Sequence, residues 1–370
     1  MRQITVAIHT YNRAVALKKL LEKEGIKVEL QNVNLEEPTV SSGVRVRIHE
    51  KDLALALRII ENMEIFAANP HADNSRENTV LVPVDFNDMT MNAVRVAFEI
   101  AHHHSLDIKF LHSYLDGRPT VNVQLSAARN YEMADMKFRR QLEETANKRM
   151  AHFIEHVREM LKVGLLPMVK FSSTVIEGVP EDAIVDYAKE HSPYMIVMGT
   201  RCAAQKQTDM IGSVSSEVLD KCACTVLTVP ETSTLRLDKK LNRIVFLTNM
   251  EQEDLLALDT MNRIMTAITG HINIVPIPGR KRFYDKGSRN STAESLLNYC
   301  RKNFERFDFS FSEIEMDLGT EELAKLASEK DIDLIVLPNK RKNIFARFFN
   351  PGIAHNILLN ADIPMLVIRV

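Results

Sequence analysis

TVLVPVDF, Thr79 to Phe86, decides how the chain is read. Its apolar residues run almost unbroken to Asp85 instead of alternating with polar ones. A strand with one wet face alternates, whereas a strand of a parallel sheet is covered on both faces and does not. From Asp88 a helical pattern follows, with Ala93, Val96, Ala97, Ile100 and Ala101 on one side. DIKFLHSY then reads as a strand, and residues 126–162, rich in charge and free of Pro and Gly, as a helix. MVKFSSTVIEG is a third strand, and PEDAIVDYAKEHS a helix with Pro180 in its first turn. YMIVMGT, a helix over SVSSEVLDKC, and CTVLTVP complete the unit. Strands alternating with helices imply a parallel sheet with right-handed crossovers, here over residues 79–231.

Residues 240–370 repeat the order. RIVFLTN stands where TVLVPVD stood, and HINIVPI, DFSFSEIEM, DLIVLPN and PMLVIRV are the later strands, with helical patterns between them. Two units with one element order suggest duplication. Their last strands, CTVLTVP and PMLVIRV, are apolar and β-branched, and such edges need cover, so they are expected to pair within the chain. Residues 1–66 differ. ITVAI, a helix over RAVALKKLLEKE closed by Gly25, IKVELQNV, GVRVRIH and the helix KDLALALRIIENM give βαββα, a small α+β domain. AANPHADNSREN, residues 67–78, is polar and reads as a linker.

A chain of 370 residues suits two or three domains. Its 45% apolar and 26% charged residues are those of a soluble globular protein. A net charge of -2 gives no global field toward nucleic acid or an acidic membrane. The opening MRQITVAIHTYNR lacks the apolar core of a secretory signal. No stretch reaches the roughly eighteen apolar residues of a membrane span. Cys202, Cys222, Cys224 and Cys300 are too sparse for a disulfide framework, so the cytoplasm, with reduced thiols, is the expected location.

MGTRCAAQKQTDMIGSVSS, Met198 to Ser216, links the fourth strand of the middle domain to its last helix. Gly199 ends the strand, and Gly212 and Ser213 open the helix. In open α/β sheets ligands sit beyond the carboxyl ends of strands, and a helix N-terminus favours an anion. Two readings stand: a phosphate cradle, or a tight turn with Ser213 as an ordinary cap. Spacing alone favours the turn.

LVPVDF, IAHHHSLDIKFLHSY, GVPEDAIVDYAKEHSPYMIVMGTR and IGSVSSEVLDKCACTVLTVP resemble the universal stress protein family across nearly all of the middle domain. The resemblance implies tandem Rossmann-like domains of the adenine nucleotide alpha hydrolase kind, the second copy degenerate. Nucleotide-binding members carry Gly, two residues, Gly, nine residues, Gly and then Ser or Thr. Gly199, Thr200, Arg201, then nine residues from Ala203 to Ile211, Gly212 and Ser213 keep that spacing, with Cys202 at the second glycine. The resemblance makes Asp85 the ribose contact and sets Pro83 and Val84 beside adenine. It thus implies a site of Pro83, Val84, Asp85, Gly199, Arg201, Gly212 and Ser213 for ATP or another adenine nucleotide, with magnesium only as its companion. If residue 202 needs a positive φ, Cys202 costs on the order of 1–3 kcal/mol.

The third domain resembles the family more weakly. Thr248 and Asn249 replace Val84 and Asp85, and Pro338, Arg341, Pro351 and Gly352 replace the four motif residues. Its loop is basic and aromatic, with Phe345, Phe348 and Phe349, so no nucleotide site of the family type is expected there. Residues 1–66 resemble small ferredoxin-like signal-transducing domains through YNRAVALKKLLEKEGIKVEL and VRVRIHEKDLALALRIIENM.

No catalytic or metal-ligating set is expected. His102, His103 and His104 are consecutive, and neighbours on a helix diverge by about 100°. Cys222 and Cys224 have no second pair, which is a weak zinc signal. Cys202 beside Arg201 is a minority candidate for redox sensing. The expected activity is stress-responsive binding and signalling, not turnover, with an intrachain pseudo-dimer or a homo-oligomer as the assembly and neither nucleic acid nor membrane as partner. A ligand-free interaction scaffold and a weak nucleotide hydrolase stand as alternatives.

Overall fold

The computed structural model describes residues 2–9, 11–32, 44–57, 59–60, 77–87, 89–115, 128–200, 213–237, 240–248, 254–276, 286–312, 326, 329, 331–339 and 361–369. The chain divides into two compact units. The N-terminal one contains β1 (Gln3–His9), α1 (Tyr11–Lys23), β2 (Val28–Asn32) and β3 (Val44–His49) in an antiparallel sheet of order β1-β3-β2. The alternation in VRVRIH buries Val46 and Ile48 with Leu17, Leu21, Ile26 and Val28. Gly25 stops α1 as expected. Its φ of 84° lets the amides of Gly25 and Ile26 donate to Glu22 and Leu21, a closing motif that also brings Ile26 onto Leu21.

The second unit is built on one ten-stranded sheet. Its first half contains β4 (Glu77–Pro83), α2 (Met89–His104), β5 (Asp107–Tyr114), α3 (Ala128–Lys162), β6 (Phe171–Glu177), α4 (Pro180–His191), β7 (Pro193–Thr200), α5 (Ser213–Lys221) and β8 (Val226–Pro230). Its second half contains β9 (Leu241–Thr248), the last residues, from Asn262, of α6 (Asp254–Ile264), β10 (Gly270–Pro276), α7 (Lys286–Asn303), β11 (Phe307–Phe311), β12 (Leu334–Asn339) and β13 (Met365–Arg369). Strand order is β11-β10-β9-β12-β13-β8-β7-β4-β5-β6. Each half therefore has its third, second, first, fourth and fifth strands in sequence, all parallel.

The unbroken apolar strands are covered on both faces. Leu81, Ile196 and Val226 point toward α4 and α5, which supply Ile184, Ala188, Val218 and Leu219. On the other face Phe110 packs with Phe98 of α2 and Phe153 of α3, at centroid separations of 6.4 and 5.2 Å. Full burial of such a side chain contributes roughly 1.5–3 kcal/mol. The five expected apolar residues of α2 are all at most 1% exposed.

The halves join where the sequence expects, through their last strands. β8 and β13 run antiparallel with Thr228, Leu227 and Val226 opposite Met365, Leu366 and Val367. Two like units related by a two-fold axis must meet in this antiparallel way. One apolar cluster runs through the seam, from Leu81 and Met198 to Val245 and Leu337. The connection between the halves is pinned to α2. Asn92 donates to the carbonyls of Glu231 and Ser233, and Glu99, 8% exposed, accepts the Leu237 amide at 2.9 Å and pairs with Arg95 and Arg236. Among the described residues no helix is long and apolar enough to cross a membrane.

Candidate functional site

β4 and β7 are neighbouring parallel strands, with Leu81 opposite Ile196. From β4 the sheet extends to β5 and β6 on one side and to β7 and β8 on the other, so their carboxyl ends border the crevice where strand order reverses. Three residues beyond that pair, Val84 and Gly199 come level.

Val84 is 5% exposed and fastened to β5 on both sides of its peptide. Its amide donates to the Leu111 carbonyl at 2.8 Å, and Nδ1 of His112 donates to its carbonyl at 2.8 Å. A carbonyl only accepts, so this bond places the imidazole proton on Nδ1. Burial is the main influence holding His112 below its ordinary pKa of 6.5. Arg149 acts the same way, while the Val84 carbonyl and Asp85 oppose it.

The chain turns at Phe86, whose φ is 65°. Such a conformation is costly for a bulky residue and persists where surroundings fix it. Here the ring lies 4.2 Å from His112 and 5.9 Å from Phe153, with the Arg149 guanidinium 5.0 Å from its centroid. The turn folds the Asp85 carboxylate back over the start of α2. Oδ1 accepts from the Asn87 amide at 3.1 Å and the Thr90 hydroxyl at 2.7 Å, and Oδ2 accepts from Asn87 Nδ2 at 2.9 Å. A carboxylate has about four lone-pair sites, so Oδ2 keeps capacity for another donor. Asp85 itself is exposed to solvent.

Pro83, Val84, Asp85 and Gly199 thus converge on neighbouring strand ends. Ser213 is the first residue of α5, which packs its Val218 and Leu219 beside α4. Arg201, Cys202 and Gly212 lie outside the described residues. Phe86, Thr90, His112 and Arg149 were not singled out by the sequence. His112 follows from the register of β5 on β4. Arg149 adjoins the buried stripe Ala146, Met150, Phe153, Ile154 and Val157 of α3, which gave a signal of helix packing only.

At the same point of the second half, fully buried Thr248 stands for Val84, Pro276 opposite it for His112, and buried Pro338 for Gly199. Asn249, Arg341, Pro351, Gly352 and the aromatic loop residues lie outside the described residues. The three histidines ending α2 diverge: His102 and His103 are exposed, while His104 Nε2 donates to the Ile264 carbonyl at 2.8 Å.

The model of the universal stress protein family matches residues 77–230 and 286–369, one stretch in each half and more than half of the chain. Universal stress protein MJ0531 of Methanocaldococcus jannaschii is 26% identical over 150 residues, 40% of this chain and 80% of that protein. Universal stress protein YxiE of Bacillus subtilis is 27% identical over 152 residues, 41% of this chain and 98% of its own. A universal stress protein from Archaeoglobus fulgidus shares the fold across both halves, with a TM-score of 0.50 at 15% identity over 80% of this chain and 99% of that one. With two matched stretches on one strand order repeated about a central seam, this chain belongs to the universal stress protein family.

Proposed function

We propose that the protein binds an adenine nucleotide in its first universal stress repeat, and that occupancy of this site, not turnover, carries a stress signal in the cytoplasm. The observation that carries the reading is the meeting of Asp85 and Gly199 at the carboxyl ends of β4 and β7, with α5 opening at Ser213. Asp85 is oriented by three hydrogen bonds before any ligand arrives, and its spare acceptor capacity suits a ribose hydroxyl. Gly199 allows close approach of backbone and ligand, and the first amides of α5 favour phosphate. Arg201 and Gly212 complete the site, with magnesium entering only with the nucleotide.

The signal requires a ligand that prefers one state of the protein over another. Because β8 and β13 already cover each other, any homo-oligomer is built through other surfaces. The second repeat serves as a scaffold, since prolines replace His112 and Gly199 there. Calorimetric titration with ATP, with and without Asp85→Ala, tests the reading. Binding that weakens with the substitution supports it. Absence of binding by the unsubstituted protein favours a scaffold throughout, and phosphate release dependent on Asp85 favours a hydrolase.

A further inference from the structure

The Cys222-Ala223-Cys224 turn lies away from the strand ends that hold Asp85 and takes no part in that site. It joins α5 to β8, the strand that makes the seam between the repeats. The two sulfurs are 3.5 Å apart. Cys222 is 3% exposed and belongs to the apolar cluster, while Cys224, packed against that cluster, is only partly buried and is the more exposed residue of the two. Two residues N-terminal to the Val226–Val367 pair, the β8–β13 register carries Cys224 level with Arg369.

We propose that Cys222 and Cys224 form a disulfide-exchange site that closes into a reversible intramolecular disulfide when it meets a low-molecular-weight disulfide such as oxidised glutathione. The flanks of the turn are held. The Cys222 amide donates to the Val218 carbonyl at 2.9 Å, and the Thr225 carbonyl accepts from Ile196 at 2.9 Å. Only the short segment between them has to adjust, because a disulfide needs the sulfurs about 1.5 Å closer than they stand. The electrostatics favour a thiolate. The hydrogen bond from the Cys224 thiol lowers the Cys222 pKa most, burial opposes it, and the amides of Cys224 and Ala223 and the positive Arg369 add to the lowering. Cys300 shows the contrast, since burial alone pushes its thiol up to about 12.

The exchange balances in two steps. Proton exchange across the 3.5 Å contact makes Cys224 the first thiolate. It attacks one sulfur of oxidised glutathione, forming a mixed disulfide and releasing one glutathione thiolate, which takes up the proton left on Cys222. The Cys222 thiolate then attacks Cys224 Sγ, forms the internal bond and expels the second. Two electrons pass from the protein dithiol to the small disulfide, and the two thiol protons go to the two glutathiones.

Trypsin cleaves after Lys221 and Arg236, so one peptide carries both cysteines and neither Cys202 nor Cys300. The full-length protein is equilibrated in glutathione buffers of increasing oxidised fraction, quenched in acid, unfolded, alkylated and mapped by mass. The expected result is a peptide that loses both alkyl groups together, is lighter than its reduced form by two hydrogens, and regains both sites after dithiothreitol. Cys222→Ser is expected to trap Cys224 as a stable glutathione adduct. A peptide that stays doubly alkylated in fully oxidised buffer, an adduct that persists in the unsubstituted protein, or a bond from either cysteine to another peptide would overturn the proposal.

Discussion

The two repeats share a strand order and differ at one point of it. In the first, Val84, His112 and Gly199 meet at the switch between strands, with the Asp85 carboxylate held just beyond them. In the second, Thr248, Pro276 and Pro338 occupy the level positions. The strand interiors are equally apolar in both, so burial preserves the fold while a few strand-end residues decide the site. Proline has no amide hydrogen and a fixed φ, so Pro338 removes the backbone freedom that Gly199 supplies. The second repeat has a tight place of its own. A Cβ on Gly270 would meet the Leu241 carbonyl oxygen at 2.5 Å, whereas the first repeat opens the matching strand with Asp107.

The largest expected effect tests whether the repeats stand or fall together. Leu366 is fully buried opposite Leu227 at the seam. Leu366→Ala should cost about 2–5 kcal/mol and lower the denaturation midpoint of both repeats in one transition. Two separated transitions, with the first repeat unmoved, would break the shared core into independent halves. A smaller effect sharpens the contrast in the loops. If Cys202 holds a strained backbone, Cys202→Gly should tighten ATP binding by at most about 1–3 kcal/mol in a calorimetric titration. Equal or weaker binding would mean that this loop is not strained at residue 202.

The smallest effect concerns His112, which the second repeat lacks. Its pKa is lowered in the folded state, so the unfolded chain takes up a proton first as pH falls. Its stabilising contribution is present above the ordinary value of 6.5 and declines below it, until the folded form also protonates. Urea midpoints measured from pH 7 down to about 5 should therefore fall less steeply in His112→Asn than in the unsubstituted protein. Parallel curves would show that His112 does not contribute to the slope.

Much of the fold was legible because runs such as LVPV and MIVM state their burial directly. Pairing of the last strands was legible too, but their register was not. Thr228 faces Met365 instead of Ile368, three residues further along. Strands apolar on both faces, as VLTVP and MLVIR are, lack the alternation that fixes register. The same holds at the start of β4, where Glu77, within the expected linker, already pairs with Pro193. The short link after β8 is buried in part: Leu235 and Leu237 are each 4% exposed, the Leu235 amide donating to Ser233 Oγ and the Leu237 amide to Glu99, 138 residues away in sequence. At the candidate site, Gly199 was singled out by the spaced motif and Asp85 by the family resemblance. His112, Phe86 and Arg149 depend on contacts between elements, which spacing along the chain does not encode.

The asymmetry of the repeats is tested most directly by ATP stoichiometry. Calorimetric titration of the full-length protein should give one site per chain. Asp85→Ala should weaken that site by roughly ten- to a hundred-fold, as loss of a hydrogen bond to a charged group does. Asn249→Asp, which restores a carboxylate in the second repeat, should leave the stoichiometry at one. Two sites per chain, or one site indifferent to Asp85→Ala, would contradict the assignment of the ligand to the first repeat.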